Sequence, residues 1–299
     1  MSLASFFLGR SFNYHDKKRD LGQTTPEDIE RVDNIRYGAD RKYQKLDVYR
    51  PKDKKGRKLP VIVSVHGGAW VYGTKEVYQY YCMSLAQQGF AVVNFSYRLA
   101  PKHKYPAALV DINSVFNWII ANANTYDLDT NNLFAVGDSA GAHLLAVYAC
   151  ILTNEDYRKT YDFSPAPEVT LNAIALNCGK YVIDQHFEED SNLEKLARDI
   201  FPGGGTPEEL AHATPAHFVT EKFPPTYLMT AQGDFLKKQA PFMKERFEEH
   251  GVDYVYKIYG DEKNPLAHVF HCDMRLKEAG ICNERECGFF RKYLVPPKK

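Results

Sequence analysis

Leu133-Phe134-Ala135-Val136, then Gly137-Asp138-Ser139-Ala140-Gly141, then Ala142 to Leu152 place a buried-strand run, a glycine-bracketed serine and a helical run in direct succession. A serine between two glycines at a strand-to-helix junction is the sequence form of a nucleophile elbow. The turn is so tight that only glycine fits two positions before and two after, and the hydroxyl is thrust clear of the backbone. Ser139 would also stand at the amino end of the following helix, where unpaired N–H groups and the helix dipole favour developing negative charge. Five residues alone also fit an ordinary glycine-flanked turn, so the neighbouring elements decide the reading.

Working outward, short apolar runs read as strands at Lys45–Tyr49, Val61–Val65, Ala91–Phe95, Leu133–Val136, Leu171–Leu176, Thr226–Thr230 and Tyr254–Tyr259. Helical patterns occupy about Val77–Gln88, Ala107–Ala123, Ala140–Leu152, Lys238–His250 and Asn283–Leu294, with Gly89 and Gly251 as helix stops. Strands apolar on both faces, alternating with helices, predict an α/β fold. Its central sheet is mostly parallel, helices cover both faces, and function lies at the carboxyl ends of the strands. Two stretches break the alternation. Residues 1–40 are polar with a helix-like segment near Pro26–Val32, and residues 178–220 hold Gly203-Gly204-Gly205 and several prolines. The expected organisation is an N-terminal cap segment, 1–40, and a main domain, 41–299, with a lid insertion at about 178–220. Two surface excursions without a gating role are the alternative.

Of 299 residues, 44% are hydrophobic and 25% charged, as in an ordinary globular protein with a sizeable core. Lys+Arg and Asp+Glu both number 38, so the formal net charge is zero and neither nucleic acid nor an anionic membrane surface is indicated as the main partner. The six cysteines, at 82, 150, 178, 272, 282 and 287, show no C-x-x-C spacing, which predicts free thiols. Leu3–Leu8 is too short for a signal-peptide core and no basic residue precedes it, so the expected location is cytoplasmic. No run approaches the roughly eighteen apolar residues of a membrane span, so no integral membrane contact is expected.

Cleavage of an ester or amide by serine needs a general base, an acid to hold that base in the right tautomer, and N–H donors for the oxyanion. After Val61–Val65 comes His66-Gly67-Gly68-Ala69-Trp70, whose adjacent glycines let the backbone approach a ligand oxygen. With the N–H of Ala140, Gly67 and Gly68 are the expected oxyanion hole, and His66 is expected to shape that loop by hydrogen bonding. After Thr226–Thr230 comes Gln232-Gly233-Asp234, which makes Asp234 the candidate acid. After Tyr254–Tyr259 comes His268-Val269-Phe270-His271, and either histidine is in range to be the base. An aspartate after glycine is often a turn residue, and a lone histidine is often structural. Finding both in order, each after its own strand, favours the joint reading. His268, His271, Cys272 and Asp273 match no recognised zinc spacing, so no metal and no cofactor are expected. Tyr72, Tyr78, Tyr80 and Tyr81 are candidates either for a pocket wall or for core and surface positions.

These residues resemble the hormone-sensitive-lipase-like carboxylesterase branch of the α/β-hydrolase family, from about Tyr43 onward. The resemblance rests on His66-Gly67-Gly68-Ala69-Trp70, on Tyr97-Arg98-Leu99-Ala100-Pro101 with Tyr105-Pro106-Ala107-Ala108, on Gly137-Asp138-Ser139-Ala140-Gly141, and on His268-Val269-Phe270. It implies an α/β-hydrolase fold with a small cap, nucleophile Ser139, acid Asp234, base His268 rather than His271, and donors at Gly67, Gly68 and Ala140. The order Ser139, Asp234, His268 is the one this architecture uses. Three departures stand out: Ala69 for a third glycine, Phe235 for a proline after the acid, and Val269 for the glycine after the base. Asp234 and His268 are also 34 positions apart, and the surplus falls in Gly260–Leu266. The implied activity is hydrolysis of small-molecule carboxylic esters of short to medium acyl chains through an acyl-enzyme. An arylformamidase or amidase is the alternative, from Asp234-Phe235-Leu236 followed by Gln239. A non-catalytic small-molecule receptor is the least favoured, because such proteins generally lose a triad residue. Many relatives pair through sheet edges or the last helix, so a homodimer is open to this chain.

Overall fold

The computed structural model describes residues 2–184 and 191–296. Its strands are β1 (Ile29–Arg36), β2 (Lys45–Pro51), β3 (Leu59–Val65), β4 (Ala91–Phe95), β5 (Leu128–Asp138), β6 (Ala173–Asn177), β7 (Thr226–Ala231) and β8 (Tyr254–Tyr259). They form one sheet in the order β1-β2-β4-β3-β5-β6-β7-β8. β2 pairs antiparallel with both β1 and β4, and every other pairing is parallel, so β2 alone runs against the rest. The helices are α1 (Leu3–Asp20), α2 (Gln79–Gln87), α3 (Ala107–Asn122), α4 (Ala140–Thr153), α5 (Glu155–Arg158), α6 (Ser191–Ile200), α7 (Pro207–His212), α8 (Ala240–His250) and α9 (Lys277–Arg291).

The continuous apolar strands follow from burial on both faces. Along β3, Val61, Val63 and Val65 pack into the layer built by α3, α4 and α8, while Ile62 joins the layer built by α2 and α9. Phe116 stacks on Tyr148 in the first layer, and Phe134 stacks on Phe290 in the second. All six cysteines are free, as expected, and all are buried. No helix among the described residues is long and apolar enough to cross a membrane.

The helix-like segment near Pro26–Val32 is corrected: Ile29–Arg36 is the edge strand β1, so the sheet begins inside residues 1–40. Ile29 to Val32 pair in unbroken register with β2, so buried Ile29 and exposed Val32 lie on opposite faces of the strand, and a bulge follows between Val32 and Ile35, with Asn34 at φ +60°. The three-residue apolar spacing looks helical although no single face of the strand carries it. Ahead of it stands α1, which the sequence reading did not include. Of the 178–220 segment, residues 185–190 lie outside the described residues. The remainder holds α6 and α7, whose Leu196, Ile200 and Leu210, with Phe201 just after α6, form a small apolar cluster with Leu8 of α1 packed against it. α1 is pinned there by Ser5 Oγ, which donates to Asp199 at 2.5 Å, and by Tyr72 OH, which donates to Asp16 at 2.9 Å.

Candidate active site

Ser139 occupies the turn between β5 and α4 with φ +52° and ψ −119°, a conformation rarely open to a residue with a side chain. The glycines around it are obligatory. A Cβ on Gly141 would lie 2.0 Å from the carbonyl oxygen of Val65, and one on Gly137 would lie 2.6 Å from that of Gly141.

The other two sequence candidates converge on this serine. His268 Nε2 lies 3.0 Å from Ser139 Oγ, and His268 Nδ1 lies 2.7 Å from Asp234 Oδ1. The pairing is built by backbone. Beyond the ends of β7 and β8, Gly233 and Ala267 form an isolated parallel bridge, and the next residue after each, Asp234 and His268, is thereby brought alongside the other. Gly233 is needed here, because a Cβ would come within 2.8 Å of the Pro265 carbonyl. Asp234 also accepts from Thr230 Oγ1 and from the Leu236 N–H, both at 2.8 Å. Burial works against its charge, but the hydrogen bond and charge of His268, with these two donors, hold the carboxyl below its ordinary value. The surplus Gly260–Leu266 is a tight turn in which Asp261 accepts from the N–H groups of Lys263 and Asn264. Val269 adopts φ +52°, a backbone that glycine would reach freely.

His271 is not at the site. It is fully buried, its ring packs edge-on to Tyr81, and burial pushes its pKa down to about 3. His66 sits in the loop after β3, where its Nδ1 is 2.7 Å from the Gly67 carbonyl and its ring stacks on Tyr97 at 4.0 Å. Tyr97 OH donates to the His66 carbonyl at 3.0 Å, and Arg98 pairs with the buried Asp111 at 2.8 Å. The Tyr97-Arg98 block thus braces the loop from behind.

The expected oxyanion donors need one correction. The N–H of Gly67 donates to Tyr78 OH at 3.0 Å, and Tyr78 OH donates onward to Asp138 Oδ2 at 2.7 Å, so Gly67 is not available to a ligand. No described residue accepts from the N–H of Gly68 or of Ala69, the latter at φ +50°. The N–H of Ala140, first in α4, belongs to those a helix leaves unpaired. Asp138, beside the nucleophile, is fully buried, and burial pushes its carboxyl up to about 7 despite the Tyr78 hydrogen bond. The sequence reading missed the Tyr78 and Asp138 pair. Asp138 inside the elbow motif was its visible half.

Two cavities meet at Ser139. One, of about 340 Å³, is walled by Leu8, Phe12, Trp70, Leu196, Phe235 and Leu236. The other, of about 260 Å³, is lined by His15, Asp16, Tyr72, Tyr78 and His268. Trp70 is fixed by its indole N–H, which donates to His143 Nδ1 at 3.1 Å, while His143 Nε2 donates to the Ala213 carbonyl at 2.7 Å. Both ring nitrogens of His143 are therefore committed in its neutral form, and burial pushes its pKa down to about 4. Of the tyrosine cluster, Tyr72 and Tyr78 face the site, while Tyr80 binds the Gln23 carbonyl and Tyr81 binds Glu286. Gln239 accepts from the N–H groups of Tyr181 and Val182 at 2.8 and 2.9 Å, a structural use of the residue that had suggested an amidase. Among the described residues, Cys178, Asp234 and His268 lie close enough to share an ion, but both His268 nitrogens already serve Ser139 and Asp234.

Residues 46–241 match the BD-FAE family model. The chain belongs to this α/β-hydrolase esterase family. Among curated relatives, the BD-FAE chain is 35% identical over 236 residues to versiconal hemiacetal acetate esterase of Dothistroma septosporum, covering 72% of this chain and 68% of that one. It is 31% identical over 209 residues to esterase LipC of Mycobacterium tuberculosis, covering 67% of this chain but 50% of LipC, so it spans half the length of that relative. Among solved structures, esterase B from Lactobacillus rhamnosis superimposes with a TM-score of 0.86 at 25% identity, over 97% of this chain and 95% of that one. The α/β-hydrolase fold expected for this BD-FAE chain is the fold it has.

Proposed function

We propose that the chain is a serine carboxylesterase that passes an acyl group of short to medium length from an alcohol to Ser139 and then to water. The observation that carries this is the hydrogen-bonded row Ser139 Oγ, His268, Asp234, at 3.0 and 2.7 Å. His268 Nε2 takes the serine proton as Oγ attacks the ester carbonyl, and Asp234 holds Nδ1–H and stabilises the imidazolium. The tetrahedral oxyanion is received by the N–H groups of Gly68, Ala69 and Ala140. His268 then protonates the leaving oxygen, so the alcohol departs on the side of the cavity that His268 lines. The acyl group accordingly occupies the cavity walled by Leu8, Phe12, Trp70 and Leu236. Water repeats the sequence on the acyl-enzyme. α1 and the described part of 178–220 serve as the cap over this apolar cavity.

The relatives support a modest acyl length: one is named for an acetate ester, and esterase B has been solved in a form inhibited by a C6-C4 SN3 compound. The test combines a fluorophosphonate probe with p-nitrophenyl esters of increasing acyl length. Wild type should label and should prefer short to medium chains, and Ser139→Ala should neither label nor turn over, a loss on the order of a millionfold. A folded Ser139→Ala protein with near-full esterase activity would overturn the proposal.

A further inference from the structure

Half of the large apolar side chains left exposed among the described residues fall between Leu3 and Leu21, on or just past α1. At about 100° per residue, Leu3, Phe6, Phe7 and Tyr14 share one arc of about 120° with Arg10, Lys17 and Lys18. Leu3 is 76% exposed, Phe7 64% and Tyr14 65%. The opposite arc carries Ser5, Leu8, Phe12 and Asp16, the side chains that bind Asp199, line the cavities at Ser139 and meet Tyr72. The two acids of α1, Asp16 and Asp20, both pair with Arg19, so the outer arc offers cations and apolar groups without acidic ones. Zero net charge over the whole chain conceals this local positive face.

We propose that the outer face of α1 docks the molecule on an anionic lipid surface. Leu3, Phe7 and Tyr14 enter the boundary between headgroups and acyl chains, and Arg10, Lys17 and Lys18 stay at the level of the lipid phosphates. Charge selects this occupant. A second copy pairing through the same face would set cations against cations, whereas an anionic layer complements them. The inner face of the same helix walls the apolar cavity above Ser139, and Phe235, 73% exposed, stands on the rim of that cavity. Docking thus sets the cavity beside a source of acyl chains. Surface binding needs no turnover, so it goes beyond the esterase reading and stands apart from it.

The experiment is flotation of the full chain with vesicles of phosphatidylcholine alone and of equimolar phosphatidylcholine and phosphatidylglycerol. Wild type is expected to bind the mixed vesicles on the order of a hundredfold more tightly, at roughly fivefold for each of three cations. The double variant Phe7→Glu, Tyr14→Glu should lose flotation on both. Lys17→Glu, Lys18→Glu should lose the preference for anionic vesicles. Circular dichroism on the variants verifies that these exposed positions leave the fold intact. Wild type that stays unbound on mixed vesicles, or floats equally on both, overturns the proposal. So does a light-scattering mass showing a dimer that the Phe7→Glu, Tyr14→Glu variant dissolves.

Discussion

Tyr78→Phe removes one oxygen and leaves the ring, and the structure assigns that oxygen two tasks. It accepts from the Gly67 N–H at 3.0 Å and donates to Asp138 Oδ2 at 2.7 Å, so it ties the loop before Gly68 and Ala69 to the strand end that carries Ser139. All three partners are buried. Without the hydroxyl, an N–H stands unpaired, at about 1–3 kcal/mol, and a carboxylate loses a charge-assisted bond of about 1.5–3 kcal/mol. Asp138 already sits near 7, and losing its donor raises it further, so at neutral pH it takes up a proton and caps the loss. The net expectation is about 2–4 kcal/mol of stability, or roughly 3–6 °C in Tm for a chain of this size. Deleting a whole oxyanion donor costs about a hundredfold or more. Loosening the loop that holds two of them should lower kcat by about 10- to 100-fold, with KM within about twofold. Steady-state kinetics on p-nitrophenyl acetate together with thermal melts test this. If Tm falls as expected while kcat stays within about twofold of wild type, the hydroxyl serves packing alone and the positioning argument is wrong.

Asp234→Asn should preserve the site geometry while presenting the wrong tautomer of His268, lowering kcat by about four powers of ten without a matching fall in Tm. Gly141→Ala should abolish soluble expression, since its Cβ would strike the Val65 carbonyl at 2.0 Å; Gly280→Ala, in open space inside α9, should add about 0.8–1 kcal/mol, and urea melts compare the two. Buried His66 and His143 are pushed down to about 4 and His271 to about 3, so the stability they give at neutral pH is lost as pH falls from about 6.5. Burial raises Asp138 and Glu286 to about 7, and their contribution runs the other way, present at low pH and lost as pH rises through 7. Removing Glu286 removes a proton that the folded chain holds between pH 5 and 6 and the unfolded chain does not, so Glu286→Gln should make the rise of stability with pH in that range steeper by about 1.4 kcal/mol per pH unit, and an unchanged slope would refute the assignment.

The meeting of Ser139, Asp234 and His268 was legible because each ends or follows an apolar strand, and strands buried on both faces are the clearest pattern a sequence carries. Gly67 was misassigned for a physical reason. Where a backbone N–H points, and what already accepts from it, depends on a tyrosine hydroxyl eleven positions away that no spacing rule contains. α1 was illegible because both of its faces are apolar in part: Leu8 and Phe12 turn inward while Leu3 and Phe7 turn outward, which erases the single stripe that marks a surface helix. β1 was misread because, as an edge strand largely open to solvent, it carries no clean alternation: Ile29 is buried and Val32 exposed, three positions apart.

The non-glycine residues at positive φ show how the site is held rigid. Of seven among the described residues, five (Ala69, Trp70, Ser139, Cys178 and Val269) belong to the loops and strand ends that surround the nucleophile. Each costs about 1–2 kcal/mol relative to an ordinary backbone, so the surrounding structure must enforce it. Apolar packing alone tolerates small shifts, whereas a hydrogen bond between interior groups favours one geometry. Such bonds sit at these turns: His143 grips Trp70, Tyr97 grips His66, and Tyr78 joins Gly67 to Asp138. The apolar layers give the sheet its stability, and these polar braces convert that stability into fixed positions for Ser139 and its N–H donors. A brace variant should therefore lower kcat out of proportion to its effect on Tm, and a core truncation of equal cost should do the reverse.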